Sequence, residues 1–427
     1  MNKTKEILIT GFALFSMFFG AGNLILPPFL GVQAGETWWL VTLGFITTAV
    51  IIPILAILAH AKLQGSLMDF AKKVSPGFAS IYCIIIYIVC ILLPAPRTAS
   101  VTHEMSILPY FDISSLSTSL IYFSLVLIFV LNRTKVLNVM GKFLTPIIVI
   151  ILLAIIILGC ISSPELIDET SFKTPFISGI LEGYQTFDAI GGAVIGGVIV
   201  ISIKLKGFTS FEATKDLIKK SGLLAGLGLL IIYAGLIALG AFYNSNISED
   251  ATRIDILTQL STSTLGNIGT AFLSVLVALA CFTTAVGIIT GVSDFFKGIF
   301  NDSAIVYKLV AVLSCICGVL IGKFDVAFII DFAIPILMIV YPVTIVLIIL
   351  NVLPEKHTTK QVFKAVVITA IIFSIPDALN IYFADSHFMV ILLKFIPLAK
   401  YSLGWVLPSL VLFLCLNLYK TSKRLSA

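Results

Sequence analysis

Phe18-Phe19-Gly20-Ala21-Gly22-Asn23-Leu24-Ile25-Leu26-Pro27-Pro28 interrupts the first apolar stretch of the chain. Residues 7–30 are otherwise long and apolar enough to cross a bilayer, yet they carry glycines, an asparagine and a double proline where a plain anchor would carry leucines. Glycine weakens a helix, and proline removes an amide donor and clashes with the preceding turn. Backbone groups are therefore freed at a depth where water does not reach them. Non-helical backbone is tolerated there only where it is buried in protein or lines a cavity. The stretch reads either as a built functional break or as a simple proline kink.

The rest of the sequence sets this break inside a polytopic membrane protein. Of its 427 residues, 59% are hydrophobic and only 11% charged, with mean hydropathy +1.12, whereas soluble domains are roughly 25% charged. A hydrocarbon core of about 30 Å needs about 20 apolar residues per helix. About twelve such stretches are present, near 7–30, 37–61, 77–101, 118–132, 143–162, 177–203, 222–243, 267–296, 304–322, 326–352, 362–382 and 401–419. They are continuously apolar rather than alternating, which excludes a membrane β-barrel. The first run, behind Lys3 and Lys5, is too long for a signal-peptide core and reads as a retained helix.

Orientation follows from the basic residues. With both termini cytoplasmic, 21 of the 27 lysines and arginines fall on the inner side, leaving Arg97, Lys173, Arg253, Lys323, Lys394 and Lys400 for the outer side or the helices; this is the positive-inside pattern. The longest inner connection, 204–220, reads as an amphipathic element lying on anionic headgroups or as a solvated loop. The longest outer one, 244–266, carries acids at the start of a short helix that would lie over an outer vestibule. No connection is long enough for a soluble domain. The seven cysteines all lie in apolar stretches and pack as small hydrophobes, and the four histidines are too scattered for a metal site.

The sixth stretch is broken too. It reads Gly183-Tyr184-Gln185-Thr186-Phe187-Asp188-Ala189-Ile190-Gly191-Gly192 before resuming, and five spans separate it from the first, so it enters from the opposite side. Interrupted segments at matching places in two oppositely oriented five-helix units point to a midplane site in a transporter built of inverted repeats. Gly192 and Gly196 also form a GxxxG packing face.

Broken helices present amide donors at one half-helix end and carbonyls at the other, with partial charges of matching sign. A zwitterion suits such a site: amides near Gly20, Ala21, Gly22 and Asn23 would hold a carboxylate, and the stretch Tyr184, Gln185, Thr186, Phe187 and Asp188 would hold an ammonium. Asp188 is a carboxylate inside an apolar helix, either functional or a cap of the resumed half-helix. In the eighth stretch Thr283 and Thr284 place adjacent hydroxyls where a hard monovalent cation would find oxygens, unless they bond back to their own helix. Arg97, toward the outer end of the third stretch, and Asp331, near the outer end of the tenth, would form an outer gate, unless the arginine snorkels alone. No HExxH, GxSxG or nucleotide phosphate-binding loop is present, so the chain does not read as an enzyme. A channel would be expected to show a ring of charges or carbonyls.

With these residues in hand, the chain resembles the branched-chain amino acid:cation symporters of bacteria. The resemblance runs over nearly the whole length and rests on the Gly11 to Gly31 block, Pro96-Arg97-Thr98-Ala99, Gly183 to Ala189 and Ala280 to Gly287. It implies the leucine-transporter-type fold: a first repeat in residues 1–162, an inverted second repeat in 163–352, and two extra helices with a cytoplasmic tail in 353–427. It also implies a multi-pass protein of the bacterial cytoplasmic membrane that imports leucine, isoleucine and valine with sodium or protons, or another small solute on the same fold. In such a fold one sodium would lie between helices 1 and 8, on carbonyls of Ser16, Phe19 and Ala280 and hydroxyls of Thr283 and Thr284. A second cation site would map to Phe18, Asn23 and Asp188. Relatives usually have a neutral hydroxyl where Asp188 stands, and helix 7 offers no clear partner asparagine, so this second site binds sodium, binds a proton, or is absent.

Overall fold

At Phe19-Gly20 the computed structural model interrupts the chain between two short helices, α1 (Lys3–Phe18) and α2 (Ala21–Ala34). Gly20 caps α2 in extended conformation, and its amide donates to Asn23 Oδ1 at 3.2 Å. Pro27 and Pro28 lie inside α2. Each withholds one backbone hydrogen bond, a cost of about 3 kcal/mol or more in an ordinary helix interior, here borne by a segment buried along nearly its whole length.

The structure describes residues 3–132, 142, 145–161, 167–208, 210–244, 247, 251–383 and 386–425, and within these all regular structure is helical. Eight helices among them are long and apolar enough to cross a membrane, with shorter apolar helices at Ser115–Leu131, Thr145–Ile161 and Val406–Tyr419. Arg133 and Lys135 of an expected inner loop, and Ser248 to Asp250 of the outer connection, lie outside the described residues.

After α2 the chain runs through α3 (Trp38–Ile46), a π-turn (Thr47–Ile51) and α4 (Ile52–Leu63). The wide turn lets the helix absorb Pro53, which cannot donate to the ladder. A short α5 (Leu67–Ala71) leads to α6 (Pro76–Leu92), and α7 (Pro94–Thr102) follows after a break at Leu93. The single stretch expected at 77–101 is therefore divided at Leu93, where Pro94 and Pro96 each remove a donor. Next come α8 (Ser115–Leu131) and α9 (Thr145–Ile161). The second break separates α10 (Pro175–Tyr184) from α11 (Asp188–Leu205).

The remaining helices are α12 (Phe211–Phe242), α13 (Arg253–Ile299), α14 (Ala304–Ile321), α15 (Val326–Val352), α16 (Lys360–Phe383), α17 (His387–Phe395) and α18 (Val406–Leu425). The short helix expected over the outer face is the first part of α13. It starts with a reciprocal cap between Thr252 and Asp255 and turns at Gly266, whose φ is 64°. The inner element around 211–220 is continuous with α12 rather than a separate piece.

The helices that flank the two breaks pack backbone to backbone on their neighbours. A Cβ on Gly31 of α2 would strike the Ile237 carbonyl of α12, and one on Gly179 of α10 would strike the Val41 carbonyl of α3. Small residues at such crossings are how membrane helices approach closely without a hydrophobic driving force between them. Gly192 and Gly196 likewise seat α11 on Pro53, Ala56 and His60 of α4.

Candidate functional site

Both breaks are completely enclosed. From Phe15 through Leu26, and from Gly183 through Ile190, every residue is buried. Between α10 and α11 the chain turns through Gln185 and Thr186, then Phe187, which takes a left-handed φ of 62°. That conformation is uncommon for a bulky residue and costs energy that the surroundings must offset. Thr186 Oγ1 donates to the Gly183 carbonyl at 2.8 Å and accepts from the Asp188 amide at 3.2 Å, and the Tyr341 hydroxyl accepts from the Ala189 amide at 3.2 Å. Tyr341 also stacks on Tyr184, ring centroids 4.4 Å apart.

Asp188 opens α11, yet its side chain does not cap that helix. The carboxylate reaches across to the first break: Asn23 Nδ2 donates to Oδ2 at 2.7 Å and the Tyr233 hydroxyl donates to the same oxygen at 2.9 Å. Asn23 also donates to Tyr233. The three residues come from α2, α11 and α12, so one hydrogen-bonded cluster joins both breaks and the seventh span. Where the seventh span offered no asparagine, Tyr233 of that span supplies a polar contact to Asn23 and Asp188. A buried tyrosine on an apolar helix carries no signal in the sequence that separates it from core.

Across the first break, Thr283 Oγ1 lies 2.9 Å from the Ser16 carbonyl and 2.9 Å from the Ala280 carbonyl. Thr284 Oγ1 lies 3.2 Å from the Met17 carbonyl and 3.4 Å from that of Ser16. A Cβ on Gly20 would stand 2.7 Å from Thr284 Oγ1, so the Phe19-Gly20 turn approaches the same hydroxyl. Four of the five residues assigned to the first cation site thus meet through oxygen atoms, and Phe19 sits beside them. Such a set of hydroxyls and carbonyls has the hard-oxygen character that alkali cations take. Only Thr283 also bonds back to its own helix, so the hydroxyls are directed chiefly at α1. Phe18, the third residue of the second set, lines the cavity described next.

The cavity at the junction is lined by Phe18, Cys90, Pro94, Thr186, Asp188, Ile190, Ile195, Thr284 and Ile288 with neighbouring atoms of Met17, Phe187 and Gly191. Its walls are aliphatic or aromatic apart from Asp188, Thr186 and Thr284. Its volume is about 30 Å³, room for little more than one water, so a larger ligand enters this junction only when the surrounding helices part.

Arg97 and Asp331 are not brought together. Arg97 is 3% exposed and donates through Nη2 to the Gln185 carbonyl at 2.8 Å, with its guanidinium 5.0 Å from the Phe187 ring centre, whereas Asp331 faces outward from α15. Helix depth suggested their pairing; the lateral arrangement of the helices, which sequence does not carry, separates them. Above Arg97 stands a different pair. Arg253 of α13 donates to Glu182 Oε2 and to Gln185 Oε1, both at 3.1 Å, and its guanidinium lies 4.5 Å from the Phe29 ring centre.

The chain matches the family described as "Branched-chain amino acid transport protein" over residues 3–423. It belongs to that family. This family member is 35% identical over 419 residues to the branched-chain amino acid permease BraB of Bacillus subtilis, a match covering 95% of this chain and 94% of the permease. It is 33% identical over 417 residues to the branched-chain amino acid transport system 2 carrier protein of Pseudomonas aeruginosa, covering 95% and 94%. A protein of this kind is a transporter rather than an enzyme. In fold it is similar to a Na+-coupled sialic acid symporter, with TM-score 0.63, 16% identity, and 96% and 89% of the two chains covered. It is also similar to Mhp1 in its inward-facing conformation, with TM-score 0.57, 13% identity, and 97% and 91% covered. The fold implied by the resemblance is the leucine-transporter type to which these neighbours belong.

Proposed function

We propose that this protein is a secondary symporter of the bacterial cytoplasmic membrane, importing leucine, isoleucine and valine down a sodium gradient by alternating access. Twelve spans, arranged as inverted repeats in 1–162 and 163–352 followed by 353–427, with both termini cytoplasmic, make up the machine. The observation that carries the reading is the meeting of the two breaks with the hydroxyls of Thr283 and Thr284 on the carbonyl side of the first. First-turn amides of α2, at Ala21, Gly22 and Asn23, have no partners inside their helix and receive the substrate carboxylate. The ammonium goes to the acidic side, at Asp188 and the carbonyl edge of Tyr184 to Phe187. The aliphatic walls around Ile190, Ile195 and Ile288 take the branched side chain.

Each barrier is formed by ion pairs at the ends of broken helices. Outside, Arg253 and Glu182 join α13 to α10. Inside, Glu6 of α1 meets Lys206 at 2.9 Å, and Lys3 meets Asp216 at 2.9 Å. Opening to either side requires the half-helix on that side to leave its partner while the other pair holds.

Uptake of labelled leucine by purified protein in liposomes, with sodium and proton gradients imposed separately, tests the reading. Accumulation under the sodium gradient alone is expected. A second reading, proton coupling, is favoured by the Asn23–Asp188–Tyr233 cluster, which places a buried carboxylate at the junction of both breaks. Accumulation under the proton gradient alone would establish it in place of sodium.

A further inference from the structure

We infer that Arg97 is a substrate-binding residue, whose guanidinium takes the carboxylate of the transported amino acid together with the first turn of α2. The inference rests on the amino acid symport reading given above and names a contact that reading lacks.

Arg97 is 3% exposed, yet among the described residues no carboxylate lies within ion-pair distance of it. Among the described residues the guanidinium makes one hydrogen bond, from Nη2 to the Gln185 carbonyl, and Nε is buried with no partner. Asp188 is committed elsewhere, to Asn23 and Tyr233. Charges withdrawn from water are ordinarily paired, and a guanidinium left with one neutral acceptor is costly. Stacking on the Phe187 ring recovers only part of that.

The group is also aimed. A Cβ built on Gly22 would stand 2.5 Å from Nη2 of Arg97 and 3.2 Å from the Gln185 carbonyl, so the guanidinium lies directly against the first turn of α2. That helix has 14 residues, and the amides of its first turn carry the positive end of its dipole. Two like charges held side by side at a glycine are mutually unfavourable, and an anion that touches both relieves them. A carboxylate has the planar, two-oxygen shape that a guanidinium fork binds with parallel hydrogen bonds. Pro94 and Pro96 fix the start of α7, which holds Arg97 at this depth. Glycine at position 22 is needed for the approach, since any side chain would occupy the place of Nη2.

The test compares leucine with leucinamide, in which a neutral amide replaces the carboxylate, using equilibrium binding to the purified full chain. In the wild type, leucine should bind at least about tenfold more tightly, the scale of a charge-assisted hydrogen bond. In Arg97→Gln, leucine should weaken by about 10- to 100-fold while leucinamide changes little, so the preference collapses. Arg97→Lys keeps the charge without the fork, and should retain part of the preference; it also serves if Arg97→Gln does not fold. If Arg97→Gln or Arg97→Lys weakens both ligands by the same factor, Arg97 acts only by packing or closure and the inference is overturned. Failure of the wild type to bind either ligand would instead overturn the amino acid symport reading.

Discussion

Replacing Thr283 by alanine removes a hydroxyl that stands 2.9 Å from both the Ser16 and the Ala280 carbonyls, at a side chain with no exposed surface. If it served only as a neutral hydrogen bond between helices, its loss would cost about 0.5–1.5 kcal/mol of stability and leave ion dependence unchanged. As a cation ligand it should matter more, on the order of 1.5–3 kcal/mol for a bond to a charge, or about 10- to 150-fold in apparent sodium affinity. Linkage requires the same coupling to appear in leucine binding, because sodium and substrate favour the same conformation. The assay is leucine binding to purified protein titrated with sodium, for Thr283→Ala, Thr284→Ala and Thr290→Ala. The last is the control, since its buried hydroxyl has no hydrogen-bond partner among the described residues and lies nearly two turns further along α13. Half-saturating sodium should rise by about tenfold or more in the first two and stay within about twofold in the control. Equal behaviour of all three, or wild-type leucine binding that ignores sodium, would refute the assignment.

Three further outcomes follow from the site. Asp188→Asn keeps an acceptor for Tyr233 but removes the charge between the breaks, so gradient-driven accumulation of leucine should fail and its pH dependence flatten; ordinary accumulation would reduce Asp188 to a structural partner. Gln185→Ala keeps the backbone carbonyl that holds Arg97 and loses only the amide oxygen on Arg253. Leucine affinity should then change by less than about threefold, within the range of one neutral hydrogen bond, while a cysteine at position 29 in a cysteine-free background should label faster from outside; slower labelling would disprove the outer barrier. Arg253→Glu combined with Glu182→Arg should recover transport lost in either single charge reversal, whereas a double variant as inactive as the singles would separate the pair from the gating step.

What the sequence carried was the position of each interruption along its own helix. Gly20, Gly22 and the double proline announce the first break, and Gly183 to Gly192 the second, because glycine and proline act on the backbone wherever they stand. The approach of Thr283 and Thr284 to the first break was open to sequence reasoning only as adjacent hydroxyls on a largely apolar helix. Lateral neighbours were not. Arg253 and Glu182 are 71 residues apart and belong to elements whose packing depends on side-chain fit across helices. Tyr233 and Tyr341 are indistinguishable in sequence from aromatic core, since only the hydroxyl's partner reveals the role. The division of the third span at Leu93 was obscured because Pro94 and Pro96 read equally well as a kink.

Gln185 gives the two halves of the site a common handle. Its carbonyl accepts from Arg97 below and its amide oxygen accepts from Arg253 above, at 2.8 and 3.1 Å. Both bonds originate at the one irregular turn between α10 and α11, next to a strained Phe187. A rotation of α10 that frees Arg253 from Glu182 must therefore also move the carbonyl on which Arg97 rests. In the proposed cycle, a movement of the α10–α11 turn is felt both at the outer pair and at the guanidinium beside Gly22. A ligand that takes Nη2 of Arg97 competes with the Gln185 carbonyl for it, and so bears on the turn that also holds Arg253.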